Sequence, residues 1–308
     1  MGQVRVLFAA HSMEGGTAMG GSNANALLVQ RLMDHPLVGA IAITTPEEPK
    51  RGADLLIVEA PTGAPFIKGC EPKYTYVLRH GDTPIGDCGY ECFDEDNIAF
   101  IVPTQWAARG LPRVPYVVQY MALAPPPDAD MQLLFGKTIL GKKKVLHARA
   151  FDFMKGTGLA IDVARAALNE PGMPSFVFRK SPLVEVVTAD VPPNVEVLPA
   201  VGGEELWRDI GCVLLTSRDE TFSMIAYEAM GRGIPVVCHA SLGAVKEWAG
   251  HLPFCAGHEE ALAAYCRSAL RATMEYRMEL RTRALIVHAK AKAQMDNWLE
   301  DAAGKVNA

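Results

Sequence analysis

CVLLTSRDETFSMIAYEAMGRGIPVVCHASLGAVKEWAG, residues 212–250, is the stretch that decides the fold. Cys212 to Thr216 is a short apolar run of strand length, and Ser217-Arg218-Asp219-Glu220 is a polar loop. From about Phe222 to Met230 the apolar residues take helical spacing, a Gly-x-Gly turn follows, and residues 235–239 return to a β-branched run. Strand, loop, helix, strand in this order is a βαβ unit. It demands a parallel sheet, because only a crossover helix can bring the chain back to lay a parallel neighbour. In open parallel sheets ligands collect at the carboxyl ends of the strands, and helix N-termini offer unpaired amides to anions. The loop holding Arg218, Asp219 and Glu220, with the helix start that follows it, is therefore where a diphosphate would sit.

The same alternation continues in both directions. Short apolar runs at residues 4–9, 40–44, 55–59, 74–78, 98–102 and 116–120 predict strands of one α/β domain over residues 1–124. Three consecutive prolines, Pro125 to Pro127, open a polar and then basic segment over residues 124–144 that reads as a linker. Beyond it, strands are expected at 145–148, 175–179, 195–198, 212–216, 235–239 and 252–255, with helices at 156–168, 204–210 and 222–230. These make a second domain over residues 144–282. A terminal helix from about residue 278 to 306 carries Leu285, His288, Met295, Trp298 and Leu299 on or near one face. Its part over residues 283–308 is expected to pack back on the first domain.

Composition agrees with two domains, since 308 residues at 49% hydrophobic can bury two cores of about 100–200 residues each. A net charge of −5 with both signs interspersed gives no electrostatic basis for nonspecific nucleic-acid binding. Lys142, Lys143 and Lys144 read as a solvated loop. No run of about 18 apolar residues is free of charge, so no spanning helix is expected. The N-terminus lacks the longer apolar core and cleavage site of a signal peptide, and a cytoplasmic location is expected. The seven cysteines are scattered and odd in number, which suits reduced thiols. Cys88 and Cys92, with His80 and Cys70, lack the second paired motif of a zinc site. Asp128-Ala129-Asp130 falls in the proline linker rather than a strand-end loop, so no metal site is expected there.

Glu220 and Glu228 bracket the start of the helix. A carboxylate so placed can accept paired hydrogen bonds from the vicinal hydroxyls of a sugar. The bland alternative is a capping acid followed by an ordinary helical glutamate, because acids favour helix starts anyway.

The segment resembles the GT4-like retaining glycosyltransferases of the GT-B fold, whose signature is Glu-x7-Glu followed by Ala-Met-x-x-Gly-x-Pro-Val. The matching residues are Glu220, Glu228, Ala229, Met230, Gly233, Pro235 and Val236, with Gly243 and Glu247 beyond. The resemblance implies two Rossmann-like lobes facing a central cleft. It implies that Glu228 binds the nucleotide ribose and Glu220 the donor sugar, with the Thr221, Phe222, Ser223 and Met224 loop touching sugar or phosphate. VLHARAFDFMKGTGLAIDVARAAL is similar to the start of the family's donor domain and implies Arg149 and Lys155, beside Gly156, as diphosphate contacts. Two cations there would stabilise the leaving group without a metal. Val201 and Gly202 would border the base, although SFVFRKSPLVEVV lacks the glycine pair usual before them.

In the first domain, HSMEGGTAMGGSNAN resembles the family's glycine-rich loop, which implies backbone approach of Gly15 and Gly16 to the donor phosphates. YTYVLRHGDTP looks like the strand ending in an active-site histidine, His80, with Asp82 beside it; Thr104 is placed to cap the helix that follows.

The implied function is transfer of a sugar from a nucleotide-sugar donor to an acceptor hydroxyl with retention, with no cofactor beyond the donor. The acceptor is left open among small molecules, glycans, proteins and modified nucleic-acid bases. Two rivals stand beside it: a sugar-nucleotide epimerase or hydrolase, and a non-catalytic nucleotide-sugar-binding protein of the same fold. A dehydrogenase fits less well, because the first glycine loop is not a Gly-x-Gly-x-x-Gly turn with an acid about 20 residues on.

Overall fold

A computed structural model describes residues 2–9, 20–44, 50–59, 70–79, 97–111, 115–121, 124–127, 144–168, 174–181 and 190–307. The chain divides into two compact units, Met1–Ala124 with His288–Ala308, and Pro125–Val287.

In the first unit β1 (Val4–Ala9), β2 (Val38–Thr44), β3 (Leu55–Glu59), β4 (Tyr74–Leu78), β5 (Ile98–Val102) and β6 (Tyr116–Val118) form one sheet in the order β2-β1-β3-β4-β5-β6. Every neighbouring pair is parallel. Strands β4 and β5 are buried along their whole length because the sheet is covered on both sides, which is why they read as unbroken apolar runs. Alternate residues go to opposite faces. Phe8, Ile57, Tyr76 and Ile101 join one core cluster, and Leu7, Leu56, Val77 and Phe100 the other. Helix α1 (Gly20–Met33) adds Leu28, Val29 and Leu32 to the first cluster.

In the second unit the elements are β7 (Lys144–Ala150), α2 (Thr157–Ala167), β8 (Ser175–Lys180), β9 (Val195–Leu198), β10 (Ile210–Leu215), α3 (Met224–Gly231), β11 (Val236–His239), α4 (Gly243–Ala249), β12 (Phe254–Ala256) and α5 (Glu259–Leu270). The sheet is again parallel, in the order β12-β11-β10-β7-β8-β9. Numbered from β7, this is 6-5-4-1-2-3, the doubly wound order with its switch point between the first and fourth strands. Small residues Ala160, Ala164 and Ala167 of α2 let that helix press on Val145, Phe176 and Phe178, while Leu262, Cys266 and Ala269 of α5 cover the same core.

The last helix, α6 (Met274–Asn307), runs through both units. Met295, Trp298, Leu299, Ala302, Ala303 and Val306 recur at helical spacing and pack on the first unit's sheet. Trp298 donates to Gln119 Oε1 (3.0 Å), and Gln119 donates to the Ala291 carbonyl (2.9 Å). Leu285 departs from the expected face and is exposed. Ten residues before Met295, it lies about 280° around the helix, off the buried stripe.

Three other expectations shift. Residues 204–210 form no α-helix; a 3-10 turn spans Gly203–Trp207, Asp209 takes a left-handed φ of 61°, and β10 begins at Ile210. Helix α3 starts at Met224 rather than Phe222, because Ser223 at φ 72° is outside helical geometry. Thr104 Oγ1 accepts from the Ala107 amide (3.1 Å), but the element that follows is a 3-10 turn, Ala107–Gly110.

Candidate functional site

The switch point of the second sheet lies between β7 and β10, and both strands deliver charged residues from their carboxyl ends. After β7 the chain turns sharply. Arg149 and Phe151 have φ values of 55° and 68°, and Gly156 has φ 62°. Non-glycine residues seldom hold such angles unless the surroundings fix them. Here the fixing groups are visible. Asp152 accepts from the Met154 amide (3.1 Å) with one carboxylate oxygen and from Arg149 Nη2 (2.8 Å) with the other. Thr157 Oγ1 accepts from the Phe151 amide at 2.6 Å.

The β7 and β10 loops are stitched together. The Thr216 hydroxyl donates to the Gly156 carbonyl (2.9 Å), and the Arg218 amide donates to the Met154 carbonyl (3.0 Å). Gly156 is required sterically, since a Cβ there would stand 1.8 Å from the Thr216 carbonyl oxygen. This close approach brings Lys155 to Glu220. The Lys155 ammonium donates to Glu220 Oε1 at 2.6 Å, and the Ser217 hydroxyl donates to the same oxygen at 2.8 Å. The pair is mostly enclosed, with side-chain exposures of 24% and 12%.

Beneath the loop lies His147 on β7, buried between the Leu214 carbonyl (3.4 Å from Nδ1) and Thr157 Oγ1 (3.4 Å from Nε2). Burial, assisted by the nearby Lys155 charge and opposed by the Leu214 hydrogen bond, pushes its pKa down to about 4. A neutral imidazole thus sits under a cationic loop.

On the other side of the switch, the first turn of α3 is approached by Phe222 and Ser223. Phe222 is buried against Trp248 of α4, the rings stacked 5.0 Å apart, and Trp248 Nε1 donates to the Phe222 carbonyl at 2.6 Å. Ser223 is buried, and its Oγ has no hydrogen-bond partner. Arg149 Nε is likewise buried without a partner. A buried polar atom left unpaired costs free energy.

Glu228 lies one turn further along α3, half-buried, and burial raises the pKa of its carboxyl; Arg232 opposes this and Glu204 adds to it. Arg232 donates to the Glu228 carbonyl (3.1 Å) and to Glu204 Oε1 (2.5 Å), with its guanidinium 4.9 Å over the Trp207 ring. Glu204 belongs to the 3-10 turn that follows Val201 and Gly202, so the carboxyl end of β9 and helix α3 are tied together.

Arg149, Lys155, Glu220, Thr221, Phe222, Ser223 and Met224 thus lie at the carboxyl ends of β7 and β10 and in the segments that follow them, while Val201 and Gly202 directly precede the turn whose Glu204 pairs with Arg232, four residues after Glu228. Gly15, Gly16, His80 and Asp82 lie outside the described residues, as do Cys88, Cys92, Asp128 and Asp130. The sequence reading missed Ser217, His147, Thr157, Asp152, Trp248 and the Arg232–Glu204 pair. Arg232 stands four residues after Glu228, a spacing that places the two on one helix face and was available as a signal. Among the described residues, no helix is long and apolar enough to cross a membrane.

No protein-family model matches the chain, and no curated protein matches it. Solved structures do. TarM superposes with a TM-score of 0.63 at 15% identity over 82% of this chain, which spans only 55% of TarM's length. HepE of Anabaena, in complex with UDP-glucose, superposes with a TM-score of 0.60 at 16% identity over 99% of this chain and 98% of its own. AviGT4, a glycosyltransferase involved in avilamycin A biosynthesis, gives a TM-score of 0.59 at 15% identity over 96% and 98%. At these identities the likeness is one of architecture, and the architecture is GT-B: two α/β units, each on a parallel six-stranded sheet.

Proposed function

We propose that the protein is a glycosyltransferase that moves a sugar from a nucleotide-sugar donor to an acceptor hydroxyl with retention and without a metal ion. The observation that carries this reading is the meeting of Lys155 and Glu220 at the carboxyl ends of β7 and β10. A cation for a diphosphate and a carboxylate for sugar hydroxyls stand side by side at the switch point, where open parallel sheets bind ligands. The GT-B likeness supports it, as do the UDP-glucose complex of HepE and the glycosyltransferase AviGT4.

The diphosphate lies against Lys155, Arg149 and the first turn of α3. Lys155 has three N–H donors, so it holds a phosphate oxygen without releasing Glu220. Ser223 Oγ and Arg149 Nε supply the donor with the hydrogen bonds they lack in the free protein. Glu220 orients the sugar ring, and Glu228 accepts from the ribose hydroxyls. The bond from the anomeric carbon to the diphosphate oxygen breaks as negative charge grows on that oxygen, and the two cations stabilise this charge. The acceptor hydroxyl attacks from the face the diphosphate leaves and passes its proton to the departing phosphate oxygen. His80, Gly15 and Gly16, which lie outside the described residues, are proposed as further active-site and donor-binding residues.

The test is a thermal-shift series with nucleotide sugars, beginning with UDP-glucose, followed by turnover assays across acceptors. A ligand that binds only the folded protein raises its apparent stability. Stabilisation by one nucleotide sugar, lost in Lys155→Ala, is expected. An unchanged Tm with every nucleotide and nucleotide sugar refutes the reading, and donor breakdown that needs no acceptor turns it into hydrolysis.

A further inference from the structure

Two thiols face each other at one end of the second sheet. Cys238 and Cys255 are register partners in the parallel strands β11 and β12, and their Sγ atoms lie 2.9 Å apart. Both are free thiols. Paired neighbours in a sheet are about 4.8 Å apart, inside the Cα separation of roughly 4.4–6.8 Å that a disulfide spans. Closing the gap to a bond of about 2.05 Å asks each sulfur to move by about half an ångström.

Their exposures differ in a way that assigns roles. Cys238 is buried, whereas Cys255 is partly exposed because β12 is the edge strand of the sheet. A reagent from solvent meets Cys255 first. The other described thiols, Cys70, Cys212 and Cys266, are buried.

We propose that Cys238 and Cys255 form a thiol–disulfide exchange site for low-molecular-weight disulfides, with Cys255 as the entering nucleophile and Cys238 as the resolving thiol. The Cys255 thiolate attacks one sulfur of the small disulfide; the S–S bond breaks and one thiolate leaves. Cys238, losing its proton to that thiolate, attacks Cys255 Sγ and expels the second. Two protein thiols are oxidised by two electrons to one disulfide, and the small disulfide is reduced to two thiols that carry the two protons. The electrostatics run the same way. The hydrogen bond from the Cys238 thiol, helped by the Lys246 ammonium, lowers the pKa of Cys255 and so favours its thiolate. The same hydrogen bond, with burial, raises that of Cys238.

The site is independent of glycosyl transfer and is tested without it. The folded protein is incubated with oxidised glutathione, quenched with N-ethylmaleimide, digested and analysed by mass spectrometry. A Cys238–Cys255 cross-linked peptide, two hydrogens lighter than the reduced pair and restored by dithiothreitol, is expected from the wild-type protein. Cys238→Ser should accumulate a glutathione adduct on Cys255, and Cys255→Ser should leave Cys238 unmodified. The proposal is overturned by a wild-type protein that keeps both cysteines maleimide-reactive on unfolding, by a lasting adduct on wild-type Cys255, or by Cys255 joined to any other cysteine. The wild-type arm decides the matter even if a variant fails to fold.

Discussion

Lys155 and Glu220 are 65 residues apart in the chain and 2.6 Å apart in space, joined through a single carboxylate oxygen that Ser217 also contacts. Both side chains are mostly withdrawn from water. Removing one partner leaves the other charge under-compensated, whereas removing both leaves no such charge. In urea unfolding, Lys155→Ala and Glu220→Ala should each cost about 1–3 kcal/mol, and the double variant should cost less than their sum by about 1 kcal/mol or more. Additive losses would mean that the contact has no energetic weight.

Glu228 is held against its own preference. Burial disfavours its charged form, as the raised pKa records, so at neutral pH the ionised carboxylate is a net cost to the ligand-free fold. Its folded pKa lies above the unfolded one, and that cost shrinks as pH falls through the folded value. A neutral amide of the same shape escapes the cost but loses half the acceptor capacity that ribose hydroxyls require. Glu228→Gln should therefore raise the Tm of the free protein while weakening UDP-glucose binding at least about tenfold, or roughly 1.4 kcal/mol. A variant less stable than wild type, with unchanged donor affinity by calorimetry, would overturn the ribose role.

The division between what residues announce locally and what they do not follows from this geometry. Strands β3, β4 and β5 fall at the residues that their apolar runs indicate, because a sheet covered on both faces needs no polar alternation. Arg149, Phe151 and Ser223 could not be read that way. The positive φ values of Arg149 and Phe151 are held by the side chains of Asp152 and Thr157, three and six residues further on, and such support follows no helical or strand periodicity. Glu220 and Glu228 stood out through their spacing. Glu204 did not, since its partner Arg232 lies 28 residues away on another element.

Gly156 tests how tightly the two loops must approach. It combines a left-handed φ of 62° with a Cβ position only 1.8 Å from the Thr216 carbonyl oxygen. The conformation alone costs an alanine about 1–2 kcal/mol, and the clash is with backbone, which cannot swing aside. Gly156→Ala should lose about 3 kcal/mol or more in urea unfolding, within the range of strained backbone positions. Gly158, with nothing within 4 Å of its Cβ position, is the control, and Gly158→Ala in helix α2 should be neutral or stabilising by up to about 1 kcal/mol. Equal effects at the two positions would mean that the loops do not meet as described.

His147 offers a test by pH of how the cationic loop is supported. The Leu214 carbonyl can only accept, so Nδ1 carries the proton and Nε2 is left to accept from the Thr157 hydroxyl. That hydroxyl accepts in turn from the Phe151 amide. Protonating the ring would place a charge in the core, close to Lys155, and give Nε2 a proton where it needs a lone pair. The folded pKa of about 4 therefore lies below the value of about 6.5 expected in the unfolded chain. Between those values the unfolded state binds a proton that the folded state refuses, so stability falls as pH drops from 6.5 towards 4, by about 3 kcal/mol in all from this one group. Above pH 6.5 neither state carries the proton, and the contribution is flat. Asp54, whose pKa the Arg5 hydrogen bond lowers to about 2, loses its stabilisation only at lower pH, so the two windows separate. Urea unfolding across this range should show a shallower slope for His147→Phe than for wild type, by up to about 1.4 kcal/mol per pH unit, with parallel curves above pH 6.5. Identical slopes would show that the imidazole reaches solvent, and the loop bearing Arg149 and Lys155 would then rest on something other than a neutral histidine.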